Sequence, residues 1–278
     1  MPRTRTRARV RLAAAAVSVV AAVASLSACA PTSGSGGSGD GLVTEGKLTI
    51  ATGEPAYSPW VEDDDPTTGQ GFESALAYAV ADQLGYAKDD VVWVRSTFDE
   101  AIAPGPKTFD LNLQQFSITE QRAKAVDFSS PYYETRQAVV TLPGSAAEGA
   151  TSVADLAGLA IGAQSGTTSF TAAEKVIDPD GGVQAYNSND DAKAALEAGQ
   201  VDAIVLDVPT ATYFVEGGVV LGQLAAEDGA SDELGIVLPL GSALTGDVTD
   251  AVDALRADGT LDQLQQQWLA DYDVTELS

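Results

Sequence analysis

The stretch SITEQRAKAVDFSSPYY, Ser117 to Tyr133, follows FDLNLQQF, residues 109–116, and the join between them decides the fold. FDLNLQQ, residues 109–115, alternates apolar and polar positions and reads as a strand. Ser117 opens a turn into a helix, and Ser117-x-x-Glu120 fits a capping box. Arg122 then falls in the helix's first turn. Backbone N–H groups are unpaired there and the helix dipole is positive, so a cation is disfavoured unless an anion joins it. Arg122 is therefore either a surface ion pair or a guanidinium poised to grip a carboxylate with two parallel hydrogen bonds.

Working outward, KLTIAT (47–52), DVVWVR (90–95), QAVVTLP (137–143), AIGAQ (160–164) and VDAIVLD (201–207) read as strands. GFESALAYAVADQLGY (71–86) has apolar spacing close to 3.6 and reads as a helix. Helices are also expected in FDEAIA (98–103), SVADLAGL (152–159), GTTSFTAAEKVI (166–177), DDAKAALEAGQ (190–200) and PTATYFVEG (209–217). ELGIVLPLGSAL (233–244) reads as extended, and two helices follow in residues 247–272. Strands alternating with helices argue for parallel sheets of the α/β type, which bind ligands at the carboxyl ends of their strands.

The first residues stand apart from this pattern. Five arginines in residues 1–11 precede the apolar run LAAAAVSVVAAVASL, an export-signal composition and too short for a comfortable membrane span. LSAC, Leu26 to Cys29, resembles the lipobox of bacterial lipoproteins, and Cys29 is the one cysteine of the 278 residues. Cleavage before Cys29 and its lipidation are expected, and with one cysteine no intramolecular disulfide is possible. PTSGSGGSGDG (31–41) has the composition of a flexible tether, with a mean reach of roughly 25 Å over about 18 residues. Residues 1–28 hold five of the 15 basic residues and none of the 40 acids, so the remainder carries a formal charge of −30. That balance argues against nucleic acid as a partner. With no histidine, His-based catalysis and His metal sites are excluded. No metal or cofactor is expected; the acidic run Glu62 to Asp65 lacks the glycine and spacing of a calcium loop.

Three further segments carry chemistry. In AQSGTTSF (163–170) a strand ends and Thr167 and Thr168 open a helix, either as plain caps or as donors to an anion. Asp207 ends the buried strand VDAIVLD, where an acid is costly unless paired; a helix cap, a lysine or a ligand's ammonium would each serve. Taken together, Arg122 and Thr168 suit a carboxylate and Asp207 an ammonium, the two charges of an α-amino acid zwitterion. In GEPAYSPW (53–60), Tyr57 and Trp60, with Phe98 further on, offer apolar walls, and Glu54 could meet a polar or cationic tip; the same aromatics also suit the edge of a core.

These stretches, with AALEAGQVDAIVLD and ELGIVLPLGS, resemble the family 3 extracellular solute-binding proteins, the amino acid receptors of ABC importers, over about residues 47–273. The resemblance implies a type II, two-lobed periplasmic-binding-protein-like α/β fold. Residues 47–135 and 236–278 would form lobe one and 136–235 lobe two, after a signal peptide (1–28) and a lipid-anchored linker (29–46). It implies that Ser117 and Arg122 bind the ligand carboxylate with help from Thr167 and Thr168, and that Asp207 takes the amino group. Glu54, Tyr57, Trp60 and Phe98 would line the side-chain pocket. Gln114, Gln115 and Phe116 stand where the family usually has small residues, so these bulky groups are expected to narrow that pocket or read the side chain, with Gln115 among the ligand-binding residues. The implied partners are an amino acid, an ABC permease with its ATPase, and the membrane through Cys29, with a monomeric protein held on the extracytoplasmic face. An enzyme on the same fold would need a general acid or base, for which Glu54 is the one candidate and has no evident partner. A sensory ligand-binding protein is the other alternative; no signalling module is expected after the TELS end.

Overall fold

The computed structural model describes residues 41–214, 217–225, 231–269 and 274–277. The export-signal, lipidation and most of the tether readings lie outside those residues. In chain order the elements are β1 (Leu48–Thr52), α1 (Phe72–Gln83), β2 (Val91–Arg95), α2 (Phe98–Ile102), β3 (Leu111–Asn112) and β4 (Val126–Phe128). Then come β5 (Tyr133–Thr135), β6 (Gln137–Thr141), β7 (Ile161–Gln164), α3 (Thr168–Ala172), β8 (Gln184–Tyr186) and α4 (Asn189–Glu197). β9 (Ala203–Asp207), α5 (Val208–Phe214), β10 (Val219–Gln223), β11 (Asp232–Leu234), β12 (Val237–Pro239), α6 (Thr245–Ala257) and α7 (Thr260–Trp268) complete the set.

Two five-stranded sheets result, ordered β2-β1-β3-β12-β4 and β10-β6-β9-β7-β8. Each centres one lobe. A two-stranded ribbon, β5 against β11, lies where the chain leaves the first sheet and where it returns. The central strands are buried on both faces, which is why they read as unbroken apolar runs. Leu48 and Ile50 pack on Phe72, Leu76 and Val80 of α1, while Ala51 faces Phe109 and Phe116 on the other side. In β9, Ile204 and Leu206 meet Ala195 and Leu196 of α4, while Ala203 and Val205 meet Leu156 and Ile161.

Four expectations change. The sheets are mixed, not parallel: β12 runs antiparallel to β3 and β4, and β6 antiparallel to β9 and β10. β6 and β12 enter their sheets from the other lobe through the ribbon, so no helical crossover dictates their direction. The SITEQR segment is not an α-helix. Ser117 bridges Leu234 and Ile118 N–H donates to Glu233 O at 2.7 Å, which holds the chain extended; only a single 3₁₀ turn, Arg122–Lys124, follows. The macrodipole argument for Arg122 therefore lapses, and burial takes its place. SVADLAGL forms only a 3₁₀ turn, Val153–Leu156, capped by Ser152 and Asp155. Finally, residues 274–277 do not stay with the first sheet. Gln223 pairs with Glu276, and Leu277 is buried in the second lobe's core.

Candidate functional site

The fold places strand ends of the two lobes opposite each other: the loops after β1 and β3 on one side, the β7–α3 turn and the end of β9 on the other. Between them lies a cavity of about 50 Å³ lined by Gly53, Pro55, Tyr57, Phe98, Gln114, Gln115, Ser117, Arg122, Thr167, Thr168 and Asp207, among others. A larger groove of about 880 Å³ shares Arg122, Gly166, Thr167 and Thr168 and runs out past Arg136, Lys175 and Asp232.

Arg122 is 7% exposed. Its guanidinium donates to Ser117 O at 2.7 Å and across the cleft to Gly166 O at 3.0 Å, and it lies 5.1 Å from the centre of the Phe98 ring. Burial pushes its pKa down, against the opposing pull of Asp207 and Asp232. The Ser117 and Thr168 hydroxyls are 3.0 Å apart, a second cross-cleft contact. Thr167 caps α3: its hydroxyl accepts from Phe170 N–H at 3.0 Å and donates to Gln164 O at 2.6 Å. Asp207 accepts from the Gln137 side-chain amide at 2.8 Å, and that same NH₂ donates to Asp232 at 2.7 Å. Burial first, then the negative charge of Asp232, raise the Asp207 carboxyl to about 7; the Gln137 bond and Arg122 act against the shift.

The cleft thus brings together Ser117, Arg122, Thr167, Thr168, Asp207, Tyr57, Phe98 and Gln115. Tyr57 donates to Asp190 at 3.4 Å and packs edge-on to Phe214, 4.7 Å away; burial and Asp190 push its hydroxyl pKa up. Two expected residues lie elsewhere. Glu54 is exposed and not among the residues lining the cavity. Trp60 is 0% exposed, packs in the first lobe's core, and donates Nε1–H to Thr210 Oγ1 of α5 at 2.9 Å. It joins the two lobes and is not among the residues lining the cavity. Gln115 lines the cavity but its amide donates to Glu73, as does its backbone N–H at 2.8 Å. Its backbone is in the left-handed region, with a φ of 51°.

Sequence reasoning missed Gln137, Asp232, Thr210 and Glu73. Glu73 looks like an ordinary first-turn acid of α1, yet it is 1% exposed and its hydrogen-bond partners are Gln115 and the Tyr132 hydroxyl. Burial raises its pKa to about 7, the hydrogen bonds pulling the other way. An acid raised on folding contributes most below its unfolded pKa, about 4.3, and loses that contribution as pH rises through about 7. Denaturation measured between pH 4.5 and 7.5 is therefore expected to show a fall in stability that Glu73→Gln flattens, by at most about 1.4 kcal/mol per pH unit. Parallel curves for the two proteins would show that the carboxylate is compensated in some other way.

Among the described residues, no group of three or more His, Cys, Asp or Glu side chains is arranged to hold a metal ion. The arrangement is one of binding: a buried cation, hydroxyls and a carboxylate facing one closed space. Known proteins agree with that reading. The chain is 31% identical over 227 residues to the L-arginine-binding protein of Pseudomonas aeruginosa, covering 78% of this chain and 86% of that protein. It is 29% identical over 244 residues to the L-cystine-binding protein TcyJ of Escherichia coli, covering 85% and 89%. Among solved structures, an ancestral arginine-binding protein bound to arginine aligns with a TM-score of 0.67 and 30% identity, over 81% of this chain and 99% of that one. These named relatives are binding proteins, not enzymes. The profile of the bacterial extracellular solute-binding proteins, family 3, matches residues 48–271, and the chain belongs to that family.

Proposed function

We propose that this protein is a lipid-anchored extracytoplasmic receptor that captures an α-amino acid between its lobes and delivers it to the permease and ATPase of an ABC importer. The observation that carries the reading is the pairing of Arg122, Ser117 and Thr168 with Asp207 around one small cavity. Neither charge of a zwitterion would leave water for a buried site without its counter-charge. The amino acids named in the relatives' titles support the same class of ligand. The chain is taken to act as a monomer, held by lipid on Cys29, its lobes moving about the β5–β11 ribbon. Labelling with a palmitate analogue is expected to mark the wild-type protein and to fail on Cys29→Ser.

A thermal-shift screen of the mature chain against the common amino acids tests the ligand. A ligand that binds only the folded state raises its stability by about 2.7 kcal/mol at ~100 times its Kd. A rise with one or a few amino acids is expected; no rise with any of them would remove the reading. Closure has its own test. Trp60→Phe keeps an aromatic ring in the core but loses the N–H bond to Thr210, which joins the lobes. Ligand affinity is expected to fall about fivefold, the equivalent of about 1 kcal/mol for one hydrogen bond. Unchanged affinity would mean that this bond does not contribute to closure.

A further inference from the structure

The side-chain end of the cavity is not built as its sequence suggested. Glu54 is exposed, and among the described residues Asp207 is the one acid lining the cavity, on the second lobe's side with Thr168 and opposite Arg122. Gln115 and Glu73 are committed to each other. Gln114 differs from all of these. It lines the cavity, and its Oε1 is buried with no hydrogen-bond partner among the described residues. Its amide is wedged against the chain after β1: a Cβ on Gly53 would come within 2.9 Å of Gln114 Nε2. The glycine is what admits the side-chain amide beside the backbone at Gly53. A buried acceptor left unpaired is costly, so one placed at a ligand cavity marks a group that the ligand itself satisfies.

Resting on the amino acid reading above, we propose that Gln114, not Glu54, selects the ligand's side chain. It shortens that end of the site and offers one amide oxygen, so the favoured ligand has a short, uncharged side chain bearing a hydroxyl or amide donor. A guanidinium or ammonium tip would be stripped of water beside a neutral amide with no carboxylate to meet it. The selectivity therefore departs from the arginine named for the relatives. A site built to hydrogen-bond a donor also rejects the isosteric side chain that lacks it.

The test is calorimetric titration of the wild-type protein with threonine against valine, asparagine against leucine, and each against arginine, repeated on Gln114→Ser and Gln114→Glu. The expected wild-type result is at least tenfold tighter binding of the donor-bearing member of a pair, with arginine at least a hundredfold weaker. Gln114→Ser lengthens the pocket and is expected to improve arginine relative to asparagine at least tenfold. Gln114→Glu is expected to shift preference toward 2,4-diaminobutyrate. Wild-type preference for arginine, or for valine and leucine, overturns the assignment while leaving the amino acid receptor intact, and that comparison needs no variant. An unchanged ranking in folded Gln114→Ser and Gln114→Glu likewise overturns it. Failure of the wild-type protein to bind any amino acid overturns both.

Discussion

Arg122→Ala is expected to weaken ligand binding by about 30-fold to about 5,000-fold, the equivalent of about 2–5 kcal/mol. Among the described residues Arg122 is the one Lys or Arg side chain lining the cavity, so no neighbour there can replace its charge toward a carboxylate. Much of the loss is the cost of leaving the ligand's carboxylate buried and unpaired, not the worth of the bond itself. Closure suffers as well, because the guanidinium donates from the first lobe to Gly166 O in the second. Arg122→Lys keeps the charge but not the planar fork, and it is expected to recover only part of the affinity. Titration calorimetry on folded variants reads the difference. An Arg122→Ala protein that binds as tightly as wild type would end the carboxylate assignment.

The second large effect is a dependence on acid. Asp207 is raised to about 7 by burial and by Asp232, yet an ammonium group needs it ionised. Ligand binding below that pH must expel a proton. Affinity is therefore expected to be level above about pH 7 and to fall as pH drops, approaching tenfold per unit and about a hundredfold by pH 5. The sign is the reverse of the effect on folding. In the unliganded protein the raised carboxyl contributes most to stability below its unfolded pKa, about 3.9, and that contribution is lost as pH rises through about 7. Asp207→Asn is expected to abolish the pH dependence of binding and to weaken amino acids more than the matching deaminated acids. Equal losses for the two ligand classes, or a flat wild-type profile from pH 5 to 7, would show that the ammonium is held elsewhere.

Much of the cavity lining was legible because those residues sit at strand ends and turns, whose positions follow from local pattern. Asp207 closes an apolar run, Thr167 and Thr168 follow a glycine turn, and Ser117 and Arg122 follow FDLNLQQF. The second half of Arg122's argument was not legible. Where a helix was expected, Ser117 and Ile118 are held extended by β11, more than a hundred residues away in the chain, only a 3₁₀ turn at Arg122 follows, and no local propensity reports that pairing. The same distance hid Gln137's bridge between Asp207 and Asp232 and the burial of Glu73 under Tyr132. Trp60 and Glu54 illustrate the limit in another way. Both belong to one loop, and only its packing against α5 and solvent sends the tryptophan inward to Thr210 and leaves the acid outside.

By itself, the sequence determined the α/β class, the acidic character, the absence of histidine chemistry, and which residue types stand ready at strand ends. Those properties depend on composition and on periods of two and 3.6, which a short window contains in full. The tertiary structure decided strand direction, the contacts of both lobes around Arg122, and that Gln114 lines the cavity while Glu54 does not. Each of these depends on contacts between segments far apart in the chain. Burial, which sets the protonation of Asp207 and Glu73, exists only once those segments have met.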